Sequence, residues 1–333
     1  MSGEPAGAAP LLIDELLHPR GAQYGVMAVD ADRCTSCGLC VLNCPYDCWE
    51  MDEGDVPRMK DACLCFSCGN CMVACSRGAV SMVRPYSVQG GGYFDADYPP
   101  YRLPRDPYDA EGSPAEWTET ERIIMERRSV RHYKSNPVPE TMIRRVIEAG
   151  RFAPSGGNHQ PWKFAVITDP VFLAELEERA HALWSGDYQA LENEDIARSL
   201  VGVIDDAVWD PRVREGLRMT ALKRLPVFLG APVAIFIGAH KKMSEPKLQT
   251  GICGQNMNLA ALAVGLGFVW SNFGAKAVER IPEIKAKLGF SADWTVAGAA
   301  VMGYPKFRQK GIVPRQDRPV VWFRPGGEGS EID

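Results

Sequence analysis

Two cysteine runs of one shape constrain this chain more than any other feature. The first is Cys34-x2-Cys37-x2-Cys40-x3-Cys44, followed by Pro45, and the second is Cys65-x2-Cys68-x2-Cys71-x3-Cys75. A tight loop that presents three thiolates, with a fourth one helical turn further on, has the spacing of a cubane iron–sulfur site. Ten of the eleven cysteines lie between Cys34 and Cys75. The repeated x2-x2-x3 pattern is a metal signature, not a disulfide framework. Zinc is the alternative metal, because four-cysteine zinc sites also use paired C-x2-C. Such sites seldom need a third cysteine at x2 and a fourth at x3, twice over. Cys48 and Cys63 fall outside the pattern and read as small buried residues, as does Cys253 on its apolar helix.

A length of 333 residues allows about two domains. The chain is 46% hydrophobic and 24% charged, with a formal net charge of −5. Nothing in that balance forces a basic face, so a nucleic-acid partner is not expected. No apolar run reaches the length of a membrane span. Residues Met1 to Pro10 are small residues and proline, without the basic and apolar regions of a secretory signal. The expected location is cytoplasmic.

Five zones follow. Residues 1–25 are an N-terminal extension, and 26–84 are the cysteine module, with Val26–Val29 and Val80–Val83 as a pair of short strands. Residues 85–116 form a linker rich in Gly, Pro, Tyr and Asp, including Gly90-Gly91-Gly92 and Pro99-Pro100. That composition cannot build a core, yet five tyrosines from Tyr86 to Tyr108 suit a segment packed on a surface. Residues 117–323 are a second domain, and 324–333 are a tail. In the second domain Thr118 with Glu121 reads as a capping box for a helix to Arg128. Helices are expected from Pro139 to Ala149, from Pro170 to about Leu183, over Gln249–Val264 and over Val278–Leu288. Strands are expected at Phe164–Thr168, Val233–Gly238, Phe268–Asn272 and Thr295–Met302, with 185–228 irregular and partly helical. Alternating helix and strand indicates an α/β or α+β domain.

Two stretches of this domain carry chemistry. Arg127-Arg128-Ser129-Val130-Arg131 crowds three arginines and a serine at a helix end. Guanidinium forks bind phosphate bidentately, although basic residues at a helix end also complement its dipole. Downstream, Pro154-Ser155-Gly156-Gly157-Asn158-His159-Gln160-Pro161-Trp162 offers glycines for close backbone approach and an amide for a polar ring edge. Gly265-x-Gly267 follows a helix and precedes a strand, the reverse of the dinucleotide fingerprint.

Together these stretches resemble the nitroreductase-like flavoprotein family. The matches continue through Ala231-Pro232-Val233, Gly254-Gln255-Asn256-Met257-x-Leu259-Ala260-Ala261, Gly265-Leu266-Gly267, Trp270, Gly303-Tyr304-Pro305 and Arg315 beside Pro314, and they cover residues 118–323. The resemblance implies a homodimer with an FMN in each of two interfacial sites. Arg127, Arg128, Ser129 and Arg131 would hold the phosphate and the pyrimidine side. Pro154, Ser155, Gly157, Asn158 and Gln160 would form the loop at the ring edge, with Asn158 near N5 and O4. Backbone around Trp270, Ser271, Asn272 and Phe273 would cover the other face. Arg315 would return to the phosphate, with Lys310 as a weaker candidate. Some relatives carry Glu-Gly where Asn272-Phe273 stands. The cysteine runs likewise resemble bacterial two-cluster ferredoxins, in which the fourth cysteine crosses to the other cluster. That implies one [4Fe-4S] cluster on Cys34, Cys37, Cys40 and Cys75, and another on Cys65, Cys68, Cys71 and Cys44. The expected fold is α+β: a ferredoxin-like two-cluster module followed by a nitroreductase-like α/β sandwich domain.

The segment from His181 to Leu229 carries Trp184, Tyr188, Trp209, Asp210 and Arg212. Trp184, Tyr188 and Trp209 are candidates for an aromatic lid over a flat substrate; the other reading is that Trp184 and Trp209 pack helices. His159 and His240 stand alone and suit surface or core roles. The expected function is an iron–sulfur flavoprotein reductase. It would pass electrons from a ferredoxin-type donor through two [4Fe-4S] clusters to FMN, and on to a nitroaromatic, activated alkene, quinone or haloaromatic. The alternatives are an NAD(P)H-dependent flavin oxidoreductase that sends electrons outward, and a non-catalytic electron-transfer subunit.

Overall fold

The computed structural model describes residues 22–88, 100–190, 211–243, 245–318, 320–326 and 330–332. They fall into two units. One holds residues up to Trp117, the stretch ending at Arg214 and those from Lys310 onward; the other holds Thr118–Ala190 and Glu215–Gln309.

In the first unit, β1 (Ala22–Gln23) pairs antiparallel with β6 (Ser87–Val88). Strand β2 (Val26–Val29) pairs antiparallel with β5 (Val80–Arg84), as expected for these two runs, with Val29 facing Val80. A second ladder joins β3 (Trp49–Glu50) to β4 (Arg58–Met59). Between the strands lie two short helices, α1 (Leu39–Leu42) and α2 (Asn70–Ala74). The second cysteine run repeats the first 31 positions on (Cys34 to Cys65, Cys44 to Cys75), and the backbone repeats with it. Ser36 and Ser67 both have positive φ, and Gly38 and Gly69 precede the two helices at φ 68°. Only glycine enters that left-handed conformation without steric cost, so each loop turns at the same place. The core is small: Met27, Trp49 and Val80 are buried among the cysteines. Beside it, Phe66 is ringed by Tyr24, Tyr46 and Tyr86 at centroid distances of 4.8–5.7 Å. A core of this size needs a staple or a metal for full stability.

The linker is partly built into this unit. Tyr86 is buried, whereas Tyr108 is 65% exposed, and Tyr93 and Tyr98 lie outside the described residues. Strand β7 (Tyr101–Arg102) pairs with β12 (Arg315–Gln316). The Lys310 amide donates to the Val73 carbonyl at 3.0 Å. Val313 is 2% exposed and rests over Gly69. Strands β13 (Val320–Trp322) and β14 (Ser330–Ile332) make a further hairpin.

The second unit is built on an antiparallel sheet in the order β10 (Gly267–Trp270), β11 (Trp294–Gly303), β9 (Val233–His240), β8 (Trp162–Ile167). Strand β9 lacks polar alternation because both of its faces are covered. On one face Val233, Ile235 and Ile237 pack with Ile143 and Val146 of α4 (Glu140–Arg151), and with Cys253 and Met257 of α7 (Pro246–Ala263). On the other, Phe236 meets Phe228, and Gly238 receives the ring of Phe290. Each fully buried large side chain of this kind contributes about 1.5–3 kcal/mol. Helix α3 (Glu119–Glu126) begins with the complete Thr118–Glu121 capping box.

Three elements differ from expectation. Helix α5 runs on from Pro170 to Ala190, past its expected end near Leu183, while α6 (Pro211–Ala221) agrees with the partly helical reading of 185–228. Asn272 opens helix α8 (Asn272–Arg280) instead of ending a strand, because Ser271 caps that helix. The helix expected at Val278–Leu288 is two pieces, since Pro282 starts α9 (Pro282–Lys287) afresh.

Candidate functional site

The arginine-rich segment leaves α3 at Arg127 and runs alongside β10. Ser129 bridges Phe268 in parallel, and the Val130 amide donates to the Phe268 carbonyl at 3.2 Å. Gly267 admits this contact: a side chain's first carbon there would lie 2.6 Å from a Val130 methyl. The fold therefore brings Arg127–Arg131 beside the strand that leads into Trp270–Phe273. Tyr133, absent from the sequence-based candidates, pins the segment. Its hydroxyl donates to the carbonyls of Val130 at 2.6 Å and Val301 at 3.3 Å, and burial raises its pKa. An Arg-x-Tyr pattern after the arginines was the available signal. Arg127, Arg128, Ser129 and Arg131 are half-buried.

The Pro154–Gln160 loop is mostly exposed. Gly157, Asn158 and Gln160 all have positive φ. The Ser155 hydroxyl accepts the Gln160 amide at 3.0 Å, and the Gln160 side chain donates to the Asn158 side-chain oxygen at 3.2 Å. The loop is thus held by its own polar groups while its backbone faces outward.

Trp270–Phe273 is fixed from behind. The Trp270 ring fills a slot between Gly254 on α7 and Gly298 on β11. Ser271 is buried; its hydroxyl donates to the Val227 carbonyl at 2.7 Å and accepts the Gly274 amide at 3.1 Å. Asn272 is exposed. Phe273 meets Trp184 edge-on at 5.0 Å. Trp184 is 6% exposed and donates its indole N–H to the Phe273 carbonyl, which matches the packing reading of this residue and not the lid. His181 is also buried, with its Nε2 on the Glu177 carboxylate at 2.9 Å. Tyr188 is half-buried on α5. Trp209 and Asp210 lie outside the described residues. His159 is exposed, and His240 packs edge-on against Trp294. Arg315 and Lys310 are exposed and belong to the first unit. A cavity of about 560 Å³, lined by Pro137, Val138, Leu173, Glu177 and Phe228 among others, includes none of the flavin candidates.

In the first unit the sulfurs gather in two neighbourhoods. Cys71 feels the charges of Cys68, Cys44 and Cys65, and more weakly that of Cys40. Cys40 feels Cys37 and Cys75. Burial, then these like charges, push the Cys65 thiol up to about 11 and Cys71 further still. Burial thus favours the neutral thiols, and holding these sulfurs as thiolates takes a cationic counterpart. Backbone amides aim at the sulfurs: Ser36 at Cys34, Cys48 at Cys44 and Ala79 at Cys75, at 3.2–3.4 Å. Among the described residues no three His, Cys, Asp or Glu side chains converge tightly enough for a single metal ion. By its chemistry, four thiols in each run with backbone amides on the sulfurs of Cys34, Cys44 and Cys75, the donor set suits an iron–sulfur group. Cys48 and Cys63 are not two separate packing residues: they are joined as a disulfide, with Cα atoms 4.9 Å apart. Nothing in the run spacing signals that pairing.

The profile of the Nitroreductase family matches residues 124–304, more than half of the chain. The chain belongs to the nitroreductase family. Ahead of the nitroreductase domain, two 4Fe-4S binding-domain profiles match residues 25–46 and 64–78, which gives a fused ferredoxin–nitroreductase architecture. The nitroreductase region is 42% identical over 197 residues to 5,6-dimethylbenzimidazole synthase of Rhodospirillum rubrum, covering 58% of this chain and 83% of that protein. A 56-residue stretch is 45% identical to NADH dehydrogenase of Thermus thermophilus, covering 17% of this chain and only 27% of that protein. Among solved structures, a nitroreductase with bound FMN from Bacteroides fragilis aligns with a TM-score of 0.46 and 23% identity, over 59% of this chain and 95% of that one. Among the described residues no helix is long and apolar enough to cross a membrane.

Proposed function

We propose that this nitroreductase is an FMN-dependent oxidoreductase supplied with single electrons by a soluble, low-potential donor of the ferredoxin type. Its acceptor is a small organic molecule of the nitroaromatic, activated alkene, quinone or haloaromatic class. When bound, iron–sulfur clusters carry electrons singly, and a flavin holds two and releases them as a hydride equivalent. The chain's residues hold and orient these groups. Arg127, Arg128 and Arg131 offer guanidinium forks to the flavin phosphate and pyrimidine side, with Ser129 adding a short bond. Pro154, Ser155, Gly157, Asn158 and Gln160 edge the ring, and the backbone of Trp270–Phe273 covers its far face. Arg315 is the further phosphate contact. Cys34, Cys37, Cys40 and Cys75 hold one [4Fe-4S] cluster, and Cys65, Cys68, Cys71 and Cys44 the other. The protein works as a cytoplasmic homodimer.

One observation carries the reading. Crowded cysteines with backbone amides on their sulfurs lie in the same chain as a nitroreductase-family domain. A wire of that kind has a use only if the domain accepts electrons. Anaerobic purification with iron, sulfide and flavin counts tests it, and about eight irons and one FMN per chain are expected. Zinc in place of iron, or the lack of a yellow chromophore, overturns it. The likeness to a protein named NADH dehydrogenase favours a second reading, in which NADH or NADPH reduces the flavin directly. Rapid flavin bleaching by either nucleotide alone, in stopped flow, would select that reading.

A further inference from the structure

The Cys48–Cys63 bond joins the two chain segments that deliver ligands to one cage. Cys48 lies four residues past Cys44, and its amide donates to the Cys44 sulfur at 3.3 Å. Cys63 lies two residues before Cys65. Besides the bond, these segments are joined by the β3–β4 ladder, by the Lys60 amide on the Cys48 carbonyl at 3.0 Å and by the Lys60–Asp47 ion pair at 2.8 Å. The other half of the repeat has no counterpart. Ala79 stands where Cys48 would be, and Asp32 where Cys63 would be. The Ala79 amide still donates to the Cys75 sulfur, so the amide–sulfur bond does not require the cross-link. The bond therefore adds a covalent restraint, and it adds it to one cage alone. The sulfurs also differ in access: Cys48 is 1% exposed, while Cys63 is only partly buried.

We propose that Cys48–Cys63 is a thiol–disulfide redox site that governs how firmly the cage of Cys44, Cys65, Cys68 and Cys71 keeps its cluster. The proposal rests on the cluster reading above. A dithiol reductant is the reacting partner. Its thiolate attacks the accessible Cys63 sulfur, and the S–S bond breaks with Cys48 as the leaving thiolate, which takes a proton. The reductant's second thiol then displaces Cys63, which is also protonated. Two electrons and two protons pass to the protein, and the reductant closes to its own disulfide. With the bond open, the Cys44 and Cys65 segments separate more readily and iron leaves this cage first.

The test uses anaerobically purified, full-length holoprotein. Iodoacetamide labelling with peptide mass analysis should find Cys48 and Cys63 unmodified before dithiothreitol treatment and modified after it. Transfer of iron to a ferrous chelator should then show about half of roughly eight irons leaving at least tenfold faster in the reduced protein. The Cys48→Ala/Cys63→Ala variant should release that half quickly with no reductant present; Ala79 at the equivalent position indicates that alanine is accommodated there. Labelling of both cysteines in the untreated protein overturns the proposal. So does unchanged iron release in both the reduced protein and the variant, with the cluster reading left intact. An anaerobic preparation without iron overturns the cluster reading itself, and this proposal with it, whatever the cross-linked peptide shows.

Discussion

The ring of Trp270 occupies the space that a side chain on Gly254 would need: an added first carbon would lie 2.1 Å from the indole Cζ2. Gly298 bounds the ring on its other side, at 2.6 Å by the same construction, so the indole has no retreat. Alanine is better than glycine in a helix interior by about 1 kcal/mol. Overpacking in a filled core costs about 1–3 kcal/mol, sometimes more, and here that term wins. Gly254→Ala should therefore destabilise the nitroreductase domain by ~1–2 kcal/mol in urea unfolding. A stability equal to or above that of the parent would show that the slot can relax.

Ser271 serves two backbone groups at once, the Val227 carbonyl and the Gly274 amide. Ser271→Ala removes a helix cap and leaves a carbonyl without its partner in a buried place. A loss of about 1–2 kcal/mol is expected. Ser271→Thr keeps the hydroxyl and should recover part of it, as read from chemical denaturation midpoints.

Crossed ligation makes a count that uncrossed ligation does not. Cys37→Ser and Cys75→Ser should each leave about four irons of roughly eight, and the double variant should still hold about four. Cys71→Ser/Cys75→Ser should lose nearly all. If the Cys37/Cys75 pair empties both sites and the Cys71/Cys75 pair empties one, each run holds its own cluster.

The arginine segment can be tested with two flavins. Charge-assisted hydrogen bonds contribute about 1.5–3 kcal/mol each, so Arg127→Ala or Arg131→Ala should weaken FMN binding by roughly tenfold or more. Riboflavin, which lacks the phosphate but keeps the pyrimidine ring, should lose less affinity than FMN on the same substitution. Fluorescence titration of apoprotein reads both affinities. Equal loss for both flavins would move these arginines from the phosphate to the ring.

Much of the fold could be read from local signals. Val26–Val29 with Val80–Val83, the Thr118 capping box and the apolar run at Val233 each announce their element, because short-range chemistry decides them. The misread elements depend on partners far along the chain. Asn272 belongs to a helix because Ser271 caps it, and the Ser271 hydroxyl is held in place by the Val227 carbonyl, 44 residues away. Of the two readings open for Trp184, packing holds, because the Phe273 carbonyl, 89 residues away, receives its indole N–H. At the candidate site, the sequence names the arginines and the asparagine loop but not Tyr133, whose role arises only where Val130 and Val301 come together. The Cys48–Cys63 bond is illegible for the same reason: 15 residues of separation say nothing until the chain has folded back.

The contacts of Lys310 and Val313 bear on how this protein can be divided. Val313 covers Gly69, Lys310 bonds to Val73, and Arg315–Gln316 extends the sheet edge at Tyr101–Arg102. The cysteine-bearing unit is thus discontinuous in sequence, finished by residues made about 290 positions after Ala22. A fragment cut at Trp117 would bare an apolar berth, and a ribosome completes this unit only after it has made the whole nitroreductase domain.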